Sequence, residues 1–368
     1  MIQTYDVGSI PFEGDFDRFT QGAVMHPLMS LLHPESGDVR RYFETRVVDS
    51  LVDKIRTGIS ISNYPQFRDM NAIFLDGLRG IVKTTHGYDA VDRITLSNEK
   101  ATIPEIQVIG ERSPSIVERI GAPRTIKVCV TGPYTLASRF AHRRDELFGE
   151  LSAVLAKYIT ANTLRTPYVT TSLVSVDEPV FGFIDDPLLD HGQPGREALL
   201  HAWDDLFHVA RAKWVQTILH LHNTRNELFW NIDHVDVLES HVRDPLYTSP
   251  RTKTLLDQHD KSLKASIATT NFDELIHATL TAQDVDVAEL PATIAATWTN
   301  IHEGRIDPTR FIDSVRTMTD RLRRVVAFFG DRVTYAGPEC GLHSFPTYGC
   351  ALECLRRVTN ASEDVRHV

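Results

Sequence analysis

Eight short runs rich in β-branched and apolar residues, most of them separated by longer amphipathic stretches, constrain this chain more than any other feature. They are TYDVGSI (4–10), TGISISN (57–63), TIKVCVTG (125–132), VTTSLVSVDEP (169–179), TILHLHN (217–223), HVDVLES (234–240), LKASIATT (263–270) and RVTYAGPEC (332–340). Between them, 27–56, 71–85, 145–163 and 194–215 carry helical periodicity. A strand that returns parallel to its predecessor needs a helix-length crossover, so alternation of this kind implies a parallel sheet. Eight such units are the number of a (β/α)8 TIM barrel in the α/β class. No Gly/Ser linker or low-complexity segment interrupts the chain, so 1–368 reads as a single domain. About sixty residues separate the seventh run from the eighth, too many for one helix and its turns. Residues 307–330, with an Asp-Pro start and a terminal Gly, read as the regular helix there, and 271–306 as an added helical insertion or lid.

Composition sets the class of partner. With 42% hydrophobic and 24% charged residues the chain is ordinary globular protein, and a formal net charge of −10 argues against a nucleic-acid coat or a polybasic membrane binder. The N-terminus, MIQTYDVGSIPFEGD, has neither a basic n-region nor an apolar h-region, and no apolar run approaches the ~18 residues that span a bilayer. The expectation is a cytoplasmic protein acting on small molecules. Four cysteines, Cys129, Cys340, Cys350 and Cys354, are then thiols or ligands rather than disulfide partners. Cys350 and Cys354 lie at i, i+4 on a helical stretch and read as small buried apolar residues.

The active site of such a barrel sits at the C-terminal ends of its strands, and here those ends are polar. In order they are Gly8-Ser9, Asn63, Thr131-Gly132, Asp177-Glu178, His220-Leu221-His222, Glu239-Ser240, Thr269-Thr270 and Glu339-Cys340-Gly341. In His220-x-His222 the two imidazoles leave a strand on one face, because successive side chains alternate. Two imidazoles, a carboxylate and a thiolate, His220, His222, Glu239 and Cys340, form a four-ligand set suited to zinc; iron stays open as an alternative. Glu289, at the end of AQDVDVAEL, competes with Glu239 as the carboxylate. Choosing it would leave no strand between it and 332–340 to complete the eight, so Glu239 is preferred. Other readings stand beside these: Gly8-Ser9 as a turn, Asp177 as a cap, and Glu178 pointing away from the axis into a salt bridge.

Taken in order, DVGSIPF, VTGPYTLA (130–137), SVDEPVF (175–181), the His-x-ligand pair, the glutamate closing the sixth run and GPECGL (337–342) resemble the C-terminal catalytic barrel of cobalamin-independent methionine synthase. The resemblance implies a zinc-dependent S-methyltransferase of methionine biosynthesis, in which zinc binds homocysteine as thiolate. It implies His220, His222, Glu239 and Cys340 as metal ligands, Asp177 and Glu239 as catalytic residues, Asp177 as receiver of the substrate amino group, and Gly8 and Ser9 as holders of its carboxylate, with Asn63, Arg68 and Thr131 completing the pocket. The departures are informative. His222 stands where the family has a cysteine, which leaves the metal one unit more positive. Where the family carries a histidine that protonates the folate leaving group, this chain reads ATTNFD, with no general acid. The folate-assisting N-terminal half has no counterpart here. These departures favour a methyl-corrinoid, carried by a corrinoid protein in the shorter relatives, over methyl-tetrahydrofolate. Thiol transfer from coenzyme M to an epoxide, or a different reaction at a metal held by two histidines, a glutamate and a cysteine, is the alternative; Arg68, Arg139, Arg143 and Arg144 are the candidate cations for a sulfonate or phosphate.

Overall fold

The computed structural model describes residues 2–25 and 34–366. These residues form ten strands: β1 (Gln3–Thr4), β2 (Ser62–Asn63), β3 (Arg79–Thr84), β4 (Gly87–Thr95), β5 (Arg124–Thr131), β6 (Val169–Glu178), β7 (Gln216–Leu221), β8 (Val237–Glu239), β9 (Ser262–Ala268) and β10 (Val333–Pro338). Eight of them form a parallel sheet in the order β1-β10-β9-β8-β7-β6-β5-β2, and each overlaps one of the eight sequence runs, β1 and β2 covering only one end of theirs. Tyr5 and Ile61 make a parallel bridge between the two edges, where the Ile61 N–H donates to the Thr4 carbonyl at 2.9 Å. The sheet thus curls into a TIM-barrel-like fold.

Helices cover its outside. Glu146–Asn162 and Pro194–Arg211 lie where the periodicity puts them and bury Leu151, Leu155, Leu199, Trp203 and Leu206 in the main core. Of the helix expected over 27–56, Pro34–Arg56 is present, while 27–33 lies outside the described residues. Between β9 and β10 the helices Phe272–Thr281 and Leu290–His302 occupy the expected insertion. The next helix starts later than its Asp-Pro signal: Asp307 caps only the 3-10 turn Pro308–Arg310, and Ser314, accepting from the Thr317 N–H, caps the helix Val315–Phe329.

The segment 71–85 corrects the sequence reading. Helix extends only over Ala72–Leu75, and β3 and β4 then form an antiparallel hairpin outside the barrel sheet. The run GIVKTT favours strand, and Thr85-His86 form the tight turn, followed by Gly87 at φ +129°. A Cβ on Gly87 would stand 2.2 Å from the Arg139 carbonyl, so the turn docks there because it carries no side chain. A second unanticipated element, the helix Phe16–Val24, is capped by Asp15 and places Phe19 against Phe43 and Phe67.

The barrel interior is layered. Tyr5, Ile61, Leu173, Ile218, Val237 and Tyr335 form a buried apolar cluster inside the sheet. Three fully buried lysines, Lys54, Lys127 and Lys264, share the interior with Asp6, Asp177 and Glu239.

Candidate metal centre

Strand register brings the site residues together. Thr131 pairs with Asp177, Asp177 with His220, and His220 with Glu239, so four adjacent strands present these positions in one row at their C-terminal ends. His222 follows one residue beyond β7, and Cys340 two residues beyond β10. One nitrogen of His220, one of His222 and the Cys340 sulfur lie within 4.8 Å of one another, with Cys340 Sγ 3.3 Å from His222 Nε2. Among the described residues this is the one cluster of three such donors. His220 Nε2 is buried without a hydrogen-bond partner, an unfavourable state for an imidazole nitrogen unless a further group meets it. Two neutral nitrogens and a thiolate are donors that zinc takes. The residues therefore fit a metal.

Glu239 stands behind this cluster. Its Oε1 is 3.0 Å from His220 Nδ1, and its Oε2 accepts from Lys264 Nζ at 2.6 Å and from the Tyr5 hydroxyl at 3.0 Å. Burial alone would raise the Glu239 pKa, but Lys264 and His220 overcome it and hold the carboxyl far below its ordinary value. The same carboxylate outweighs burial at His220 and raises that imidazole to about 10. Burial lowers His222, opposed by Cys340. At Cys340 burial favours the neutral thiol, yet the neighbouring imidazoles of His220, His222 and His241 hold its pKa well below the ordinary range. Glu289, by contrast, lies exposed before the helix Leu290–His302, outside every strand.

A cavity of about 480 Å³ opens over the cluster. Its lining combines the polar His220, His222, Cys340 and Asp177 with the apolar Phe16, Phe67, Met70 and Pro179. Asp177 is buried and accepts from the Ser175 hydroxyl at 2.5 Å, its pKa raised by burial against the pull of His220 and Lys127. Ser9 lines the cavity, and Gly8 lies close beside Asn63, whose Nδ2 would be 2.7 Å from a Cβ placed there. Lys54 fixes this corner: it pairs with Asp6 at 2.6 Å and donates to the Asn63 and Gly8 carbonyls.

Other expected contacts are committed to the protein itself. Arg68 reaches the cavity, but its guanidinium is held by both Glu105 oxygens at 2.7 Å. The Thr131 hydroxyl donates to the Met70 carbonyl and so steadies the apolar lining. Asn63 is fully buried, with Nδ2 on the Tyr64 carbonyl and Oδ1 unpartnered. Arg143 pairs with Asp186, Arg144 with Glu150, and Arg139 is exposed. Among the described residues Glu178 meets no cation, contrary to the salt bridge expected of it; it accepts from the Tyr134 and Thr135 N–H groups, the Thr135 hydroxyl and Trp203 Nε1.

Sequence reasoning missed four contributors. Lys264 and Lys127 sit on interior strand positions that read as ordinary alternation, each 5.3 Å from the Tyr5 ring centre. His241 follows the strand end and stacks on His222 with ring centres 4.0 Å apart. His343 lines the cavity from the loop after Cys340. For His241 a signal existed: a third imidazole two residues after a strand-end carboxylate.

No family model matches this chain, and no curated protein matches its sequence. Among solved structures it is similar to a B12-independent methionine synthase from Shewanella sp. W3-18-1 in complex with selenomethionine, at 15% identity and a TM-score of 0.61, covering 100% of this chain and 98% of that one. A sugar phosphate isomerase/epimerase-like protein from Anabaena variabilis aligns over 100% of this chain and 98% of its own at 12% identity, with a TM-score of 0.45. The methionine synthase likeness, at that identity, is one of fold. Among the described residues no helix is long and apolar enough to cross a membrane.

Proposed function

We propose that the protein is a metal-dependent enzyme that methylates a small thiol, with homocysteine the leading acceptor. The observation that carries this reading is the convergence of His220, His222 and Cys340 on a point beneath a cavity also bounded by Asp177. Zinc bound by those three residues would hold the substrate sulfur as thiolate at neutral pH. Supporting the acceptor, Asp177 offers a carboxylate to an ammonium group, and Gly8 and Ser9 form another corner beside the Lys54 ammonium. Phe16, Phe67 and Met70 exclude water from the reacting sulfur. The methionine synthase of like fold is described with selenomethionine bound, the selenium counterpart of the expected product.

The donor that suits this site is a methyl-corrinoid, free or carried by a partner protein. In the transfer the sulfur–methyl bond forms as the cobalt–methyl bond breaks, and both electrons of that bond stay on cobalt. No proton is consumed. β9 is followed by Thr269 and Thr270, whose N–H groups are held by Asp313 and Glu339, and these threonines offer no acid to a folate leaving group.

The test pairs elemental analysis of untagged protein and its Cys340→Ser variant with an assay of methionine formed from homocysteine and methylcobalamin. About one zinc per chain, lost in the variant together with activity, is expected. Protein without metal, or a variant that keeps both metal and turnover, would overturn the reading.

A further inference from the structure

The metal reading leaves one donor position to be filled, and the sequence assigned it to Glu239. The geometry is against that. Both Glu239 oxygens are already engaged, one facing His220 Nδ1 and the other Lys264 and Tyr5, and the residue is fully buried behind the imidazole rather than beside the sulfur. A carboxylate on the far nitrogen of a metal-bound histidine orients the ring and fixes its tautomer, a recurring arrangement around zinc.

His241 stands beside His222. The same strand delivers it, two residues after Glu239, on irregular backbone. Its ring lies against His222 at 4.0 Å and 41°, and it is grouped with His220 and His222 around the Cys340 thiol. Its Nε2 is buried with no hydrogen-bond partner, the same condition as His220 Nε2. Two imidazole nitrogens next to one thiolate, both buried and both unused, point to a shared acceptor of their lone pairs. His241 lies outside the 4.8 Å group and is only half-buried, so its ring would have to turn to close the set.

Resting on the metal reading above, we infer that His241 is the fourth donor, giving a centre of three imidazoles and one thiolate, and that Glu239 is a positioning residue acting through His220. Zinc of this kind still accepts a further ligand from the cavity by expanding to five-coordination.

X-ray absorption at the zinc edge, together with chelator competition, on wild-type protein, His241→Ala and Glu239→Gln tests this without reference to turnover. Three imidazoles and one sulfur are expected in the wild type and two imidazoles in His241→Ala, with zinc affinity weaker by about tenfold or more. Glu239→Gln should keep all three imidazoles while losing roughly 10- to 100-fold in affinity. An unchanged imidazole count in His241→Ala, with one zinc bound, would overturn the His241 assignment and leave the metal reading standing. Wild-type protein without zinc would overturn both. Circular dichroism on each variant separates ligand loss from misfolding.

Discussion

At the scale of single residues, the barrel interior shows how much polarity a core can carry when each group is met. Lys264 has no accessible surface, and its ammonium lies on Glu239 and the Pro338 carbonyl. Removing one member of such a pair leaves the other charged and unpaired in a medium that solvates it poorly. Lys264→Met is therefore expected to destabilise the fold by roughly 3–5 kcal/mol in a denaturant titration. Replacing Lys264 and Glu239 together by apolar residues should restore most of that loss. Glu178 makes a different case, since among the described residues four donors surround it and no cation does. Burial raises its pKa from the ordinary 4.5 to about 7, against the pull of those donors. Between these values the unfolded chain has released a proton that the folded chain retains, so this group's contribution to stability falls as pH rises. The stability of wild type relative to Glu178→Gln should drop by roughly 3 kcal/mol from pH 4.5 to 7 and stay level above it. A difference independent of pH would show that the carboxyl is ionised throughout.

At the scale of elements, the eight barrel strands were legible because a buried parallel strand is nearly continuous in Val, Ile and Leu, and each run was bounded by polar residues. The strand-end rule then found His220, His222 and Cys340 without any local motif. What the sequence did not disclose is equally physical. The hairpin of β3 and β4 was hidden because NAIFLDGL mimics a helical start and the run after it is short. Its existence depends on a docking partner: the Tyr88 N–H donates to the Arg139 carbonyl, and the Ala141 N–H donates to the Tyr88 carbonyl. Gly87→Ala would force a Cβ against that same Arg139 carbonyl at a positive φ. It should cost on the order of 2 kcal/mol, and amide exchange should speed up at Tyr88 and Ala141 while β5 through β10 stay protected. Uniform loss of protection would mean that the hairpin and barrel unfold as one unit. The interior lysines escaped notice for another reason. Alternation tells which way a side chain points, and it cannot tell whether a tyrosine face and a carboxylate wait for it there.

At the scale of the whole molecule, the proposed metal would couple to the fold. His220 and His222 come from the end of β7 and Cys340 from the end of β10, which are separated by more than a hundred residues of chain and by two intervening strands of the sheet. A ligand that needs both binds only the folded protein. Zinc at roughly a thousandfold excess over its dissociation constant is expected to add about 4 kcal/mol to stability, read as a rise in melting temperature that Cys340→Ser abolishes.

The layer of lysines beneath the site has a consequence for which sulfur species the site retains. Lys54, Lys127 and Lys264 are matched in number by Asp6, Asp177 and Glu239, so the interior is electrically balanced before a metal arrives. A divalent ion and the Cys340 thiolate together add one positive charge, because position 222 supplies an imidazole and not a second thiolate. An incoming thiolate restores electroneutrality, and a thioether does not. In the proposed reaction, methyl transfer would therefore turn the species that completes the charge balance into one that leaves it incomplete, and the protein would lose its hold on the product at the moment of forming it. On this account His222→Cys should narrow the preference for homocysteine over methionine, measured by competitive binding, and leave a more nucleophilic sulfur.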